Sequence, residues 1–533
     1  MENNYIPLPS TFDERVAIDR LTKIVYVDQR CIGDPLLLTW VERNKASGIE
    51  FKLEKADMAD IAKLRARGMR DTEEMDIDMV VRGQAMDIIR KAASYRASDI
   101  HLMMRGEHTD IQIVVKGQLR ALASMTHEEG DALARAIYQG IAKTRDSSFN
   151  ALEFQNAQIP GDVMPPDTNL TSIRIIRGPC YPQAHNGSFM TMRLQYGTAK
   201  PNFKQESLPS LPLPRSPEGS FQLGRMGYTA KQLDKIQRLM DAPNGIIIVT
   251  GPTGSGKTTS MYEALKETAR KKAQRRLVTI EDPVEYPMDW AVQLSVTDTR
   301  TGAETGIAVG ERLRAALRMA PNIILLSELR DSEVAVSALE AAVTGHQVWT
   351  TMHVTDPFLF VERLELMDSK RLHRRAFCDH KIVRGVIAQR LLPKLCPKCS
   401  EPFHKHPSAL SMRIVKALQT WGDIAHVRVQ GPGCDVCAGD GTVDRFAVAE
   451  VVVMNAAVMS DFINQGSEKA RDNYRASPDA DPSMLESAIS LALKGLLDPR
   501  AIEDCIDLIE PKDGAIANPV LVPLHPERAA RTS

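Results

Sequence analysis

The spacing of hydrophobic positions changes several times along this chain of 533 residues. Apolar side chains recur at helical spacing over residues 80–93, and the runs 111–115, 172–176 and 189–194 have the pattern of strands. These patterns predict a small α/β domain over residues 79–196.

Two other segments of the N-terminal half show no such core. Residues 1–78 combine one short apolar stretch with a charged, helix-like segment, and we interpret them as a short region with partner docking as its candidate role. Residues 197–222 contain five prolines among Ser, Lys and Gly and lack apolar periodicity. A segment of this composition predicts a semi-rigid linker between two folded bodies.

A second core begins at residues 246–249, a short and fully apolar strand of the kind buried in parallel sheets. Strands and helices alternate from there, which predicts a nucleotide-binding α/β domain over residues 223–390. The rest of the chain divides into a cysteine-bearing segment, a helical part and a tail expected to be frayed, at residues 391–450, 451–510 and 511–533.

Composition argues against several classes of protein. The chain has 67 basic and 68 acidic residues and is 5% aromatic, so it has neither a large field for polyanions nor many rings for base stacking. Stable nucleic-acid binding is therefore not expected. No run approaches the roughly 18 to 20 apolar residues of a membrane-spanning helix, and the first residues do not resemble a signal peptide. We expect a cytoplasmic protein whose membrane association, if any, is peripheral and through partners.

The strongest chemical signal is a match to GxxxxGK[ST] directly after the apolar strand at 246–249. In such a loop, backbone N–H groups converge on phosphates and the next helix directs its positive end at them. Lys257 is expected to neutralise phosphate oxygens, and Thr258 to bind Mg²⁺. The predicted ATP-binding residues of this loop are Gly251, Pro252, Thr253, Gly254, Ser255, Gly256, Lys257, Thr258 and Thr259.

Three carboxylates follow short apolar stretches of the same domain. Glu328 comes after the apolar residues 323–326, where a P-loop enzyme needs a carboxylate beside the metal and the attacking water, so we predict that it is the general base. Glu281 and Glu285 follow another apolar stretch, where carboxylates can hold Mg²⁺ through water or orient the attacking water. A surface position at a strand end is the alternative for each of them.

Two histidines flank the predicted strand at residues 347–350. His346 precedes this strand and His353 follows soon after it, so the two side chains are expected to leave its opposite ends. A lone histidine is more often a structural residue than a catalytic one. The spacing alone therefore leaves both roles open.

Four of the eight cysteines form two CxxC pairs, which are Cys396 with Cys399 and Cys434 with Cys437. Four thiolates suit tetrahedral zinc and leave no open position for chemistry, which predicts a structural Zn²⁺ site. A redox role for one CxxC pair is the alternative, but the chain shows no thioredoxin-like pattern.

Together, these motifs resemble the secretion ATPases of the type II secretion and type IV pilus assembly class, over about residues 80–510. The resemblance is carried by GPTGSGKTT, TIEDPVEY, LRAALRMAPNIILLSELRD, TGHQVWTTMH and IAQRLLPKLCPKC. It implies a RecA-like P-loop ATPase core with a smaller, PAS-like N-terminal α/β domain, a zinc-binding segment and a helical C-terminal part.

The resemblance also implies roles for individual residues. ATP would bind between the N-terminal and RecA-like domains of a homohexamer. His346 and His353 would sense the γ-phosphate, and Arg174 and Arg193 match family arginines that reach the nucleotide. Glu281 and Glu285 would belong to the acidic motif of the family, beside the catalytic Glu328.

The implied function is an ATP-hydrolysing motor that drives assembly of a type IV pilus or a type II secretion pseudopilus. It would act at the cytoplasmic face of the inner membrane with a membrane platform protein as partner. Alternatives are a conjugative or thin-pilus ATPase of the same class and a RecA-like nucleic-acid translocase. A catalytically weak scaffold is a third, because Asn322 and Ser327 depart from the family pattern around Glu328.

Overall fold

The computed structural model describes residues 8–12, 14–19, 23–46, 50–198, 208–296 and 302–512, without the side chains of 10, 66–78 and 302–304. Most of the predicted tail, residues 513–533, lies outside the described residues. So does the middle of the predicted linker, residues 199–207. None of the described helices is both long and apolar enough to cross a lipid bilayer.

The first described elements form a small sheet with one helix. Its elements are β1 (Val16–Asp19), β2 (Ile24–Asp28), α1 (Pro35–Ala46) and β3 (Lys52–Ala56). Strand β2 pairs antiparallel with β1 and parallel with β3. Trp40 of α1 stacks on Phe51 with ring centroids 5.4 Å apart, beside the buried Val25 and Leu37. The sequence pattern did not reveal this core, because strands of four or five residues are too short to show a clear period.

A seven-stranded antiparallel sheet follows, in the order β6-β5-β4-β10-β9-β8-β7. Its elements are α2 (Met58–Ser94), β4 (Asp99–Met104), β5 (His108–Val115), β6 (Gln118–Thr126), α3 (His127–Arg135), β7 (Thr144–Arg145), β8 (Gln155–Pro160), β9 (Leu170–Pro179) and β10 (Ser188–Tyr196). Ile89 of α2 and Leu133 of α3 pack on one face of this sheet, against Ile100 and Met190. The three sequence-predicted strands lie within β5, β9 and β10. We call this sheet and its helices the N-terminal body.

The main sheet has the order β13-β12-β14-β15-β11-β16-β19, with neighbouring strands parallel except for β19. Its elements before the cysteines are α4 (Ala230–Asp241), β11 (Gly245–Thr250), α5 (Lys257–Lys271), β12 (Leu277–Glu281), β13 (Ala291–Ser295), α6 (Gly302–Leu317), β14 (Ile323–Leu326), α7 (Ser332–Val343), β15 (Gln347–Met352), α8 (Phe360–Met367), α9 (Arg374–Phe377) and β16 (Val383–Leu395). The sheet is buried between helices, as its apolar strands predict. The predicted α/β fold class, a parallel P-loop core with a smaller N-terminal α/β unit, is confirmed.

The cysteine-bearing segment returns to this sheet. Its elements and those that follow are β17 (Glu401–Pro402), α10 (Met412–Trp421), β18 (Arg428–Val429), β19 (Thr442–Val453), α11 (Ala456–Asn464), α12 (Ser467–Arg475), α13 (Met484–Leu493) and α14 (Pro499–Cys505). Strand β19 pairs antiparallel with β16 from Gly385 opposite Val453 to Leu395 opposite Thr442. The boundaries placed at residues 390 and 450 from the sequence therefore fall inside β16 and β19.

The N-terminal body packs on one edge of the main sheet. Tyr181 N donates to Gln293 O at 2.8 Å, and Arg105 Nη2 donates to Ala291 O at 3.0 Å, so β13 is covered along its outer edge. The second described part of the predicted linker, residues 208–222, is also held, because Ala121 N donates to Pro212 O at 3.0 Å.

Candidate functional site

The P-loop lies where β11 ends and α5 begins. All six residues of β11 are buried, which fixes the start of the loop. Gly254 and Gly256 have φ values of 78° and 79°, in the left-handed region that glycine adopts without strain. A Cβ at Gly251 would lie 2.5 Å from Gln389 O, so only glycine fits there without a shift of the backbone. The predicted phosphate-binding conformation is thus built by glycines at the end of a buried strand.

Lys257 is folded back onto this loop. Its Nζ donates to Gly251 O and Pro252 O, both at 2.9 Å. Burial lowers the pKa of Lys257, and the Glu328 carboxylate opposes that effect. An ammonium held mainly by carbonyl oxygens can exchange them for phosphate oxygens, which carry full charge.

A cleft of about 550 Å³ opens above the P-loop. It collects most of the sequence-predicted residues, because β11, β12, β14 and β15 all direct their C-terminal ends to this side of the sheet. The predicted residues that line it are Thr253, Gly254, Ser255, Gly256, Lys257, Thr258, Thr259, Glu281, Glu285, Glu328 and His353.

Glu328 lies in the loop after β14, two strands away from the P-loop strand. Its Oε2 accepts a hydrogen bond from Arg330 Nε at 2.7 Å, and its Oε1 is 3.4 Å from His353 Nε2. Arg330 Nη1 also donates to Asp282 Oδ2 at 3.1 Å, so one guanidinium bridges two carboxylates at the cleft. The bond to Glu328 raises the pKa of Arg330.

Arg330 and Asp282 were not among the sequence-predicted site residues. A signal for Arg330 was present, because residues i and i+2 of an extended segment project to the same side, and Arg330 follows Glu328 by two positions. The contact with Asp282 depends on the pairing of β12 with β14 and could not be read from spacing.

Glu281 is the buried last residue of β12. Its Oε1 accepts from Thr279 Oγ1 at 2.5 Å and from Gln293 Nε2 at 2.9 Å. Burial raises the pKa of Glu281, and these hydrogen bonds partly oppose the rise. The carboxyl group is therefore held in one orientation at the floor of the cleft.

The two histidines are separated by β15. His353 is at the cleft, whereas His346 precedes the other end of the strand, with its Nδ1 3.0 Å from Ala341 O. Six strand residues span about 20 Å. Within one chain the structure brings His353 to the cleft above the P-loop and does not bring His346 there.

Arg174 and Arg193 are likewise not among the residues that line the cleft. They lie opposite each other on β9 and β10 of the N-terminal body. Arg193 Nε donates to Asp99 Oδ1 at 2.9 Å. The structure therefore brings these arginines together, but not to the P-loop.

A third residue missed in the sequence, Gln389, braces the P-loop from β16. Its Nε2 donates to Ser255 O at 2.6 Å, and its Oε1 accepts from Tyr228 OH at 2.5 Å. Burial raises the pKa of Tyr228 to about 12, so the phenol stays a donor at neutral pH. A buried strand glutamine gives no sequence signal for such a role.

A further cleft of about 700 Å³ adjoins the P-loop and shares Gly256, Thr259 and Leu391 with the first. Its other lining residues come from the segment before α4, from both strands of the β16–β19 ladder and from the turn before β19. They are Gln222, Arg225, Met226, Pro393, Asp440, Thr442, Val443, Asp444 and Arg445.

The four predicted metal-ligating cysteines meet at the end of the β16–β19 ladder. Their sulfur atoms all lie within 4.8 Å of one another, and three of the Sγ···Sγ distances, including Cys396 to Cys434, are 3.7 Å. Zn–S bonds of about 2.3 Å in a tetrahedron require S···S distances of about 3.8 Å. Although burial opposes it, N–H donation from Cys434 and Gly441 lowers the pKa of Cys437 to about 6. The donor set and its spacing fit tetrahedral zinc.

Comparison with known proteins gives a consistent result. A family model described as "Type II/IV secretion system protein" matches residues 206–504, more than half of the chain. The type II secretion system protein E of Aeromonas hydrophila is 32% identical over 278 residues, which cover 52% of this chain and 51% of that protein. The type IV pilus assembly ATPase PilB of Thermus thermophilus is 26% identical over 410 residues, which cover 75% of this chain and 41% of that protein.

Among solved structures, the ATPase DotB of Legionella pneumophila is 21% identical, with a TM-score of 0.38, and the match covers 78% of this chain and 93% of that chain. In the two sequence matches above, the chain spans about half or less of the length of the relative.

Proposed function

We propose that this chain, which belongs to the type II/IV secretion system protein family, is an ATP-hydrolysing motor. The motor would drive assembly of a type IV pilus or a type II secretion pseudopilus. One observation carries the enzymatic part of this proposal. Lys257 of the P-loop and Glu328, which follows a strand two positions away in the sheet, line a single cleft of about 550 Å³.

The proposed chemistry divides between two sides of this cleft. The P-loop and Lys257 would bind the phosphates, and Thr258 would bind Mg²⁺ with help from Glu281 and Glu285. Bound Mg²⁺ would neutralise charge that develops on the phosphate oxygens. Glu328 would accept a proton from the water that attacks the γ-phosphorus, while His353 holds the other carboxylate oxygen.

The four-cysteine site is proposed to bind structural Zn²⁺. Cys396, Cys399, Cys434 and Cys437 would supply all four ligands, which leaves no position for substrate. A bound ion would join the two CxxC pairs, which we call knuckles, at the end of β16 and β19. It would therefore contribute folding energy where the ladder ends.

We propose that the working form is a homohexamer, located in the cytoplasm at the inner membrane and coupled to a platform protein there. Arg174 and Arg193 are part of this proposal. Because they lie outside the cleft of a single chain, they could reach ATP only after a movement of the N-terminal body or from a neighbouring subunit. Differential affinity of ATP for two arrangements is what can convert hydrolysis into movement.

The test uses the purified full-length chain and a host strain in which the chromosomal copy is deleted. Lys257→Ala should abolish ATP binding, whereas Glu328→Gln should keep ATP binding and lose at least about 100-fold in turnover, as expected when a general base is removed. Glu340→Gln, at an exposed position of α7, is the matched control and should behave as the parent.

Particle mass should correspond to six chains in the presence of ATP, and only the parent and the control should restore pilus formation or secretion. Parent-level turnover in Glu328→Gln would refute the assignment of the base. Restoration by the inactive variant would refute the motor function.

A further inference from the structure

The cleft of about 700 Å³ beside the P-loop has one wall made by the start of β19. Thr442, Val443, Asp444 and Arg445 form this wall, and Gly256 and Thr259 of the P-loop segment line the same cleft. We call residues 440–445 the ladder wall. It borders the same P-loop turn that would hold the phosphates of a bound nucleotide.

The ladder wall is attached directly to the four-cysteine site. Cys396 N donates to Gly441 O at 2.9 Å, and Gly441 N donates to Cys437 Sγ at 3.2 Å. Gly441 is therefore bonded to residues of both knuckles. Leu395, just before the first knuckle, pairs with Thr442 in the strand register.

The far end of the ladder wall is attached to the opposite side of the cleft. Arg445 pairs with Pro393 on β16, and two residues later Ala447 N donates to Met226 O at 2.7 Å. Gly227 allows this approach, because a Cβ there would lie 2.7 Å from Ala447 O. The cysteine site, the ladder wall and the loop at Met226 thus form one connected frame around the cleft.

The side chains in this cleft suit a nucleoside. Met226, Leu391 and Val443 offer apolar surface for a flat base. Gln222 and the carboxylates of Asp440 and Asp444 can accept hydrogen bonds from an exocyclic amine or from ribose hydroxyls. Phosphates extending from a nucleoside placed here would meet the P-loop at Gly256.

Taking this cleft as the base and ribose site of the proposed ATPase, we propose that the four-cysteine metal site sets nucleotide affinity by fixing the ladder wall. The inference rests on the proposed ATP-binding function and adds a coupling between two sites with no shared ligand residue. Loss of the metal would free Gly441, move the ladder wall and weaken the nucleoside contacts, while the P-loop, braced by Gln389 from β16, would still bind phosphates.

Two probes separate the halves of the nucleotide site: ADP, which carries a nucleoside, and inorganic tripolyphosphate, which does not. Dissociation constants for both are measured by calorimetry on the full chain at fixed Mg²⁺, and zinc content is measured by elemental analysis. Cys437→Ser should lose zinc and bind ADP about tenfold more weakly, with an unchanged constant for tripolyphosphate. Cys505→Ser, outside the cluster, is the matched control and should retain both zinc and ADP affinity.

A second variant tests the ladder wall with the metal in place. Val443 is 39% exposed in the cleft, so Val443→Glu should fold and keep its zinc while it repels ADP and leaves tripolyphosphate binding intact. Unchanged ADP affinity in zinc-free Cys437→Ser would overturn the coupling, and unchanged ADP affinity in Val443→Glu would overturn the nucleoside site. Equal losses for ADP and tripolyphosphate would also overturn the inference. A parent chain that binds neither probe would instead overturn the proposed function.

Discussion

The two ends of the main parallel sheet carry polar residues of different kinds. At the C-terminal ends of the strands, Lys257, Glu328 and His353 face an open cleft. At the N-terminal ends, Arg276 is buried against the N-terminal body, with its Nη2 3.4 Å from Met103 Sδ. Burial lowers the pKa of Arg276 to about 9. Polar residues at the first end are available to a ligand, whereas Arg276 at the second is enclosed between two bodies.

This difference shows why a position next to a strand in the sequence does not by itself predict whether a side chain lies at the ligand cleft. Every strand has two ends, and only the carboxyl ends of a parallel sheet border its ligand cleft. His346 and His353 flank the same strand, yet the sheet places them on opposite sides. The end of the strand, more than the type of residue, decides which side chain can act on a nucleotide.

The largest effect that would sharpen this comparison is a contrast between the two histidines. His353→Ala should lower kcat for ATP about 10- to 100-fold, because His353 contacts Glu328 in the cleft and a positioned group of this kind contributes on that scale. His346→Ala should change kcat less than about twofold in the isolated chain. Steady-state rates and thermal melts of both variants make the measurement. An equal loss of kcat would break the comparison, and a neighbouring subunit would then have to supply His346.

A smaller effect is expected from Arg330, which bridges Glu328 and Asp282 at the cleft. Arg330→Lys keeps the positive charge but cannot maintain the forked contact to two carboxylates, so kcat should fall about three- to tenfold with little change in KM. Arg363→Lys, at an exposed position of α8, is the matched control. A change in KM alone would indicate that Arg330 binds ATP directly instead of orienting Glu328.

The features recovered from the sequence share a physical basis. The P-loop, the strand before it and the strand before Glu328 are local patterns, in which a few adjacent residues determine both conformation and chemistry. The CxxC pairs were found in the same way, because thiolate spacing within each knuckle is local.

The missed features depend on contacts between distant segments. Strand β19 is separated from β16 by the long segment between the two cysteine pairs. Its pairing with β16 therefore cannot be predicted from a local sequence pattern. Gln389 and Asp282 acquire their contacts from the order of strands in the sheet. The covering of the outer edge of β13 by the N-terminal body is likewise a contact between distant segments, so the sequence does not predict it.

The smallest predicted effect concerns His101, on the face of the N-terminal body that meets the main sheet. His101 is fully buried, with Nδ1 3.0 Å from Thr191 Oγ1, and Nε2 has no hydrogen-bond partner among the described residues. Burial, reinforced by Arg276 and Arg193, lowers the pKa of His101 well below 6.5. The folded chain therefore keeps this imidazole neutral at a pH where the unfolded chain protonates it.

The sign of the resulting pH dependence follows from the proton count. Below about pH 6.5 the unfolded state binds one more proton at this position, so stability falls as the pH decreases toward the folded-state pKa, by at most about 1.4 kcal/mol per pH unit. His101→Gln removes the titration, so its loss of stability between pH 7 and 5.5 should be about 1 kcal/mol smaller than that of the parent. Hydrogen exchange in β4 reports the local opening free energy. The exposed His404→Gln control should keep the slope of the parent, and an equal slope for His101→Gln would show that His101 does not titrate on unfolding.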